Sequence, residues 1–387
     1  MTEAERNALL PAGLRDILPE DAAFEAETVE RLMSAFAAHG YQRVKPPLIE
    51  FEESLLSGAG VAVGHQTFRL MDPVSQRMMG VRADITPQIS RIARTRLANE
   101  PRPLRLSYAG DVLRVRGSQL RPERQLTQVG AELVGSAAPE ADAEILVMAI
   151  RAIERTGIKA LSVDLTVPRL VPQILGFFGI AAERERDVRE ALDRKDASAV
   201  ALSAGEAAPA LNALLKATGS ALAGLEILQS ADMPGEAARE VVRVARVAEL
   251  LGEQAPEIQL TIDPVEHRGF EYHTGIGFTI FSRGPAAELA GGGRYRVRAG
   301  QDEDGERATG VTLYVDAIIG TLEKPDGARR VLMPIGSSPD RVASLQEEGW
   351  VTVAALDPLD DVDAAAAAQK CGYVFEDEKP RPVKGIG

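Results

Sequence analysis

Apolar positions in the first part of the chain change from helical to strand-like spacing. Over residues 21–39 they fall near one face of a helix, and Gly40 follows as a natural C-cap. Residues 41–50 are then predicted to be extended. Because Pro46 and Pro47 lack backbone N–H groups, this stretch is predicted to be an edge or interface strand.

Short segments between residues 67 and 135 alternate apolar and polar side chains. They read FRLMD, MMGVRAD, LRLSYAGDVLRV and LTQVGAELVG. This period of two predicts strands of an antiparallel sheet with one covered face. Helices are predicted over residues 91–98 and 141–155.

Residues 167–253 are dominated by alanine, leucine and charged side chains, and are predicted to be wholly helical. Strand-like sequence returns with IQLTIDP and FEYHTGIGFTIFS, followed by a GGGRY turn and an apolar helix near residues 311–322. This order predicts an α+β fold: an antiparallel sheet of six or seven strands flanked by helices, with a helical insertion at about 167–253.

The remaining residues predict a small separate unit. VLMPIG, a helix from Asp340, VTVAALD, an alanine-rich helix from Asp361 and YVFED make a β-α-β-α-β unit over residues 324–387. The basic end KPRPVKGIG is predicted to be loose. The chain is therefore divided into residues 1–323 and 324–387.

The composition of the chain argues against several classes of protein. The net charge of −13, from 57 acidic and 44 basic residues, disfavours broad nonspecific nucleic-acid binding. A single cysteine, Cys371, excludes a disulfide framework, and the four histidines lack ligand spacing, so no metal is predicted. The N-terminus has no apolar signal region and no run approaches the ~18 apolar residues of a membrane span, which predicts a cytoplasmic protein.

The segment VRADITP ends a predicted strand with Asp84 and Thr86. A carboxylate and a hydroxyl this close together suit an ammonium group. The alternative is a helix N-cap, with Thr86 capping and Pro87 at the first helical position.

Four arginines lie around a predicted hairpin loop. A guanidinium group can donate two parallel hydrogen bonds to a phosphate or a carboxylate, so this loop could bind either group. The four arginines are Arg114, Arg116, Arg121 and Arg124. The alternative is a solvated, arginine-rich hairpin. On the next strand, Gln128 and Glu132 are four residues apart and therefore share a face.

Two further segments are rich in polar or glycine residues. HRGFEYHTG, from His267 to Gly275, could form a polar pocket wall, although a histidine on a strand is more often structural. GGGRY, from Gly291 to Tyr295, permits close backbone approach to a ligand or a tight turn. It is neither a Walker loop nor a dinucleotide fingerprint.

These motifs together, in this order, resemble the catalytic core of histidyl-tRNA synthetases, a class II synthetase family. The resemblance runs from about Leu10 to Glu323. It implies that histidine is bound by side chains at matching positions, with Asp84 one methylene shorter than the family's glutamate and His273 in place of a tyrosine. The implied histidine-binding residues are Asp84, Thr86, Arg114, Gln128, Glu132, Arg268, Tyr272 and His273.

At the positions where the family binds ATP, this sequence departs from the family pattern. Ala317 stands where the resemblance places the arginine that clamps the ATP γ-phosphate, and Arg116 replaces the motif 2 glutamate. The residues after Glu323 are too few for the family's anticodon-binding domain. No catalytic residue, cofactor or tRNA partner is therefore expected.

This combination resembles the regulatory subunits of short-form ATP phosphoribosyltransferase, the first enzyme of histidine biosynthesis. The resemblance implies a non-catalytic, histidine-sensing subunit that assembles with the short catalytic subunit and is required for its activity. Self-association is expected through the motif 1 region from Gly40 to Phe51. The alternatives are an active histidyl-tRNA synthetase and a synthetase-derived module that binds another amino acid.

Overall fold

The structure of the chain is a computed structural model that describes residues 9–117, 122–266, 273–284, 287–297, 305–324 and 327–384. It divides into two units, Met1–Leu322 and Glu323–Gly387.

The first unit begins with a long amphipathic helix, α1 (Pro19–Ala38). Pro19 starts it, and Leu32 and Phe36 are fully buried on its inner face. Gly40 follows with a φ of +82°, a left-handed conformation that glycine adopts without strain. The predicted helix and its C-terminal glycine therefore lie within two residues of their expected positions.

A three-stranded antiparallel sheet follows α1, with its strands in the order β2-β4-β3. Its elements are β2 (Ile49–Phe51), β3 (Phe68–Met71) and β4 (Met78–Val81), with α2 (Glu52–Leu55) and a 3₁₀ segment (Gly58–Gln66) between the first two strands. The predicted strands FRLMD and MMGVRAD belong to this small sheet rather than to the main one.

The main sheet has nine strands, more than the six or seven predicted. They are β1 (Gln42–Arg43), β5 (Leu104–Leu113), β6 (Gln125–Val134), β7 (Leu161–Thr166), β8 (Gly219–Ser220), β9 (Gln259–Asp263), β10 (Gly277–Ser282), β11 (Ala287–Val297) and β12 (Glu306–Tyr314). Their order is β1-β5-β6-β12-β11-β10-β7-β9-β8. All neighbours are antiparallel except the pairs β1·β5 and β7·β9. β1 lies at one edge of the sheet, within residues 41–50, which were predicted to be an edge or interface strand. β8 has only two residues, too few for periodicity to reveal it.

Two sequence predictions fail in the centre of this sheet. GGGRY is not a turn but part of β11, where the ring of Phe278 covers the backbone of Gly292. Gly310 through Tyr314 are not helical but end β12, and the helix α11 (Val315–Thr321) starts only afterwards. β-branched and aromatic side chains here favour a strand, and pairing to both β6 and β11 fixes it.

Two helices lie before the insertion. The first, α3 (Thr86–Thr95), begins five residues earlier than predicted, and α4 (Pro139–Thr156) closely matches its prediction. The main hydrophobic core includes buried residues of α1, α4 and the central strands.

The insertion is helical as predicted, apart from the two-residue strand β8. Its helices are α5 (Leu170–Phe177), α6 (Ala182–Asp193), α7 (Ala197–Ser203), α8 (Ala208–Ala217), α9 (Ala221–Ser230) and α10 (Gly235–Gln254), with a 3₁₀ turn at Gly205–Ala207. In the part of the chain that the structure describes, no helix is both long and apolar enough to cross a membrane.

The second unit is a four-stranded sheet in the order β14-β13-β15-β16. Its elements are β13 (Arg330–Met333), α12 (Pro339–Glu347), β14 (Val351–Ala354), α13 (Val362–Ala368), β15 (Tyr373–Glu376) and β16 (Lys379–Pro382). The last strand corrects the predicted β-α-β-α-β unit, because the start of the expected loose end pairs antiparallel with β15. Two prolines are tolerated in β16 because it is an edge strand.

Candidate functional site

A cleft of about 520 Å³ opens over the central strands, and we call it the Asp84 cleft. Four of the predicted site residues line it: Asp84, Arg114, Gln128 and His273. They come from the end of the small sheet, from β6 and from the segments that flank β5 and β10. Its volume is in the usual range for small-molecule sites, about 300–1,000 Å³.

The end of VRADIT folds against the side chain of Gln128. Its amide oxygen accepts a hydrogen bond from Ile85 N at 3.1 Å, and its amide nitrogen lies 3.4 Å from Asp84 Oδ2. The other oxygen of Asp84 accepts the Thr86 backbone N–H at 2.8 Å. Gln128 and the local turn therefore fix the Asp84 carboxylate at the cleft.

Thr86 begins α3, but its hydroxyl does not cap that helix. It donates instead to Glu132 Oε1 at 3.0 Å and lies 3.2 Å from the Tyr108 hydroxyl. The helix-cap alternative is therefore wrong for the Thr86 side chain.

Glu132 lies in a buried network of hydroxyl groups and is 1% exposed. Tyr108 donates to its Oε1 at 3.3 Å, and Tyr295 donates to its Oε2 at 2.9 Å. Together with Thr86, these are three neutral donors on one carboxyl group. The carboxyl group is therefore held in the core by uncharged partners.

Strand register makes room for this carboxyl group. In the β6–β12 pair, Glu132 lies opposite Gly310, where an added Cβ would be only 1.7 Å from Glu132 Oε2. On the other side of β6, Gly130 lies opposite Tyr108, whose hydroxyl would be 2.3 Å from a Cβ. Two glycines on neighbouring strands are thus required by close approach.

Burial raises the pKa of Glu132 from its ordinary 4.5 to about 8, although the bonds from Tyr295 and Thr86 act in the opposite direction. Burial lowers the pKa of His273 from 6.5 to about 3. At neutral pH the His273 ring is therefore uncharged, and the Glu132 carboxyl is largely protonated.

The raised pKa of Glu132 should make the free energy of unfolding smaller as pH rises. Its folded pKa of about 8 lies above the unfolded 4.5, so its contribution is fully present below pH 4.5 and is lost as pH rises through 8. In Glu132→Gln, which cannot titrate, the free energy of unfolding should depend less on pH, by up to about 1.4 kcal/mol per pH unit in that window.

Urea unfolding of both proteins at several pH values measures this difference, since the other titrating groups are common to the two. Equal pH slopes would contradict the raised pKa of Glu132.

Arg114 and His273 complete the described part of the predicted site. Arg114 lines the Asp84 cleft just after β5, where its backbone bridges to Thr67. The Nε2 atom of His273 lies 3.0 Å from the position of an added Gly293 Cβ. The predicted residues Arg268 and Tyr272 lie outside the described residues, as does Arg121 of the hairpin.

Sequence reasoning missed several residues of the site. Tyr108 and Tyr295 hold Glu132, and the signal that could have found Tyr108 was Gly130, a glycine inside an apolar strand. Three carboxylates also line the Asp84 cleft: Asp164, Glu266 and Glu288. Burial raises the pKa of Asp164, which accepts a bond from Thr261 at 2.8 Å.

The charged residues that line the Asp84 cleft determine which ligands it can bind. Among its described residues Arg114 carries the one guanidinium, against four carboxylates. A zwitterion can place its ammonium at Asp84 and its carboxylate toward Arg114, whereas a triphosphate would meet repulsion from the acidic side chains.

Ala317 lies on α11 and is partly buried against the main core, while Arg116 is exposed. Neither lines the described part of the Asp84 cleft. Over the described residues, no group of three or more His, Cys, Asp or Glu side chains is arranged to hold a metal ion.

Sequence comparisons give close relatives. The family model of histidyl-tRNA synthetases matches residues 13–318. A Paramagnetospirillum magneticum protein named ATP phosphoribosyltransferase regulatory subunit is 54% identical over 373 residues, 96% of this chain and 97% of that protein. A Rhodospirillum rubrum protein of the same name is 48% identical, with 97% of each chain covered.

Solved structures with the same fold are more distant in sequence. An ATP phosphoribosyltransferase regulatory subunit/histidyl-tRNA synthetase from Bacillus halodurans has a TM-score of 0.76 at 22% identity, covering 93% of this chain and 96% of that one. A chain of the ATP phosphoribosyl transferase (HisG:HisZ) complex from Thermotoga maritima has a TM-score of 0.58 at 18% identity, covering 75% and 97%. These likenesses confirm the predicted class II synthetase-like α+β fold.

Proposed function

Because the chain belongs to the family of ATP phosphoribosyltransferase regulatory subunits, which have a histidyl-tRNA synthetase-like fold, we propose that it activates a short catalytic subunit and makes it sensitive to histidine. The observation that carries the histidine assignment is the Asp84 cleft. Asp84, held by Gln128, and Arg114 both line this cleft. Glu132 does not line it but is buried next to it, where it accepts a hydrogen bond from Thr86, two residues after Asp84.

Histidine fits the charges and hydrogen-bonding groups of this site. Its α-ammonium is assigned to Asp84 and Gln128, and its α-carboxylate to the arginine side of the cleft. Its imidazole is assigned to Glu132, whose carboxyl can share a proton with a ring nitrogen. Arg268 and Tyr272 are proposed to complete the site by their match to the family motif.

Activation of histidine with ATP is proposed to be lost. Asp164, Glu266 and Glu288 line the cleft in addition to Asp84, so a polyphosphate would be repelled there. Ala317, in place of the expected arginine, offers only a methyl group. We also propose that residues 324–387 are not a full anticodon-binding domain and that the chain binds no tRNA.

Histidine controls activity in this proposal by preferring one conformation of a complex with the catalytic subunit. Such coupling is typically worth about 1–3 kcal/mol, or roughly 5–150-fold in affinity. The Thermotoga maritima complex shares this fold, which supports assembly with a catalytic partner.

The decisive experiment measures ATP phosphoribosyltransferase activity of the short catalytic subunit with and without this chain. Adding the chain should raise the activity and allow inhibition by histidine. Asp84→Asn should raise the histidine concentration for half-inhibition at least about tenfold, because the carboxylate that pairs with the α-ammonium is lost. Unchanged activity on adding the chain would contradict the proposal.

A parallel assay for histidine-dependent pyrophosphate exchange distinguishes a regulatory subunit from an active histidyl-tRNA synthetase. The isolated chain with histidine, ATP and magnesium should show no exchange. Robust exchange would instead support an active synthetase.

We further propose that the chain dimerises through the region from Gly40 to Phe51 and the small sheet beside it. Ile49 and Met71 are exposed on that sheet, at 37% and 62%. Exposed apolar side chains of this kind are typical of an isologous interface. Sedimentation should show a dimer that Ile49→Glu dissociates, whereas Leu202→Glu on α7, 86% exposed, should leave it intact. A wild-type monomer at micromolar concentration would contradict this.

A further inference from the structure

A second cleft, of about 340 Å³, lies beside the segment that borders the Asp84 cleft. Thr274 lines this second cleft, whereas the preceding residue, His273, lines the first. Three arginines from separate parts of the chain also line it: Arg169, Arg296 and Arg307. We call it the arginine cleft. None of these arginines belongs to the proposed histidine site.

Two of these arginines face each other across a strand pair. Arg296 on β11 and Arg307 on β12 are register partners. Like charges directly opposite each other destabilise an antiparallel pair. Burial and the charge of Arg296 both lower the pKa of Arg307, so its positive charge is disfavoured where it stands. The fold thus concentrates positive charge at this point.

Glutamates of α10 neutralise this charge only in part. Glu236 and Glu240 line the arginine cleft. Each also has an arginine partner on its own helix: Arg239 lies 2.6 Å from Glu236, and Arg243 lies 4.0 Å from Glu240. Among the described residues, the lining therefore holds three guanidinium groups against two carboxylates, and both carboxylates are shared with helix arginines.

We propose that the arginine cleft binds a small, multiply charged phosphate anion such as pyrophosphate. Guanidinium groups match phosphate oxygens in pairs, and Arg296 and Arg307 lie side by side to provide such forks. Arg169 supplies a third cation from the start of α5. Three cations suit a multiply charged phosphate better than a monocarboxylate. The cavity is also large enough for such a ligand.

Calorimetric titration of the full chain with pyrophosphate tests this site. We expect saturable binding with a Kd of about 1 mM or tighter. Arg307→Gln should weaken it about tenfold, because one charged partner is removed. Glu240→Gln should strengthen it, because a negative charge leaves the lining. Arg31→Gln, an exposed change on α1, should leave the affinity unchanged.

Each alternative outcome overturns the proposal. These outcomes are no saturable heat with wild type, equal affinity for succinate, or unchanged affinity in both Arg307→Gln and Glu240→Gln. Loss of pyrophosphate binding in Arg114→Gln, with Arg307→Gln unaffected, would place the anion in the Asp84 cleft instead. Should Arg307→Gln fail to fold by circular dichroism, Glu240→Gln decides the result by the direction of its change.

Discussion

The Asp142→Ala variant is expected to lose about 3–5 kcal/mol of its free energy of unfolding, because it leaves a buried guanidinium without its carboxylate. Arg294 and Asp142 are 2% and 0% exposed, and their side chains are 2.7 Å apart. The same guanidinium also donates to the carbonyl oxygens of Ser136 and Ala138, at 2.8 Å each. One ion pair therefore ties β11 to the start of α4.

Urea unfolding measures this loss, and a second variant separates the cost of an unpaired charge from the value of the pair. Asp142→Leu combined with Arg294→Met should be more stable than Asp142→Ala, because no charge remains buried. Glu27→Ala breaks the exposed pair with Arg31 and should change stability by at most about 1 kcal/mol. A loss in Asp142→Ala no larger than in Glu27→Ala would show that the buried pair is not needed.

The Gly310→Ala variant is expected to bind histidine at least about tenfold more weakly, which corresponds to about 1.4 kcal/mol. The added methyl group would occupy space 1.7 Å from Glu132 Oε2, so the carboxyl group must leave its bond with Tyr295. A displaced carboxyl and an unsatisfied tyrosine hydroxyl each carry a cost in a buried site.

Calorimetry with histidine measures this effect, with Gly252→Ala as the matched control. Gly252 lies on α10, and an added Cβ would have no atom within 4 Å apart from its chain neighbours and the backbone of its own helix, so its replacement should leave histidine affinity unchanged. In urea unfolding, Glu132→Asp combined with Gly310→Ala should be more stable than Gly310→Ala alone, because the shorter side chain withdraws from the methyl group. Wild-type affinity in Gly310→Ala would remove Glu132 from the histidine site.

The fold class and the family were predictable because they depend on local patterns and on the order of motifs. A helix with one apolar face, such as α1, and a ten-residue alternating strand, such as β6, carry their own signals. Gln128 and Glu132 were correctly placed on one strand for the same reason.

The secondary-structure predictions are wrong where pairing with strands distant in sequence determines the structure. Val311 to Tyr314 has an apolar sequence that periodicity alone cannot assign to helix or strand. β6 and β11 pair with it on both sides and make it a strand. Tyr295 reaches Glu132 only because β12 lies between β11 and β6, and no local pattern contains that order.

The central place of β12 also has a consequence during synthesis on the ribosome. β6 is complete at Val134, yet β12, its partner on one edge, begins at Glu306. With about 170 residues between them and translation at ~5–20 residues per second, that edge of β6 waits on the order of ten seconds or more for its partner. An unpaired edge is a template for wrong pairing, so this edge of β6 is open to aggregation until β12 has been synthesised.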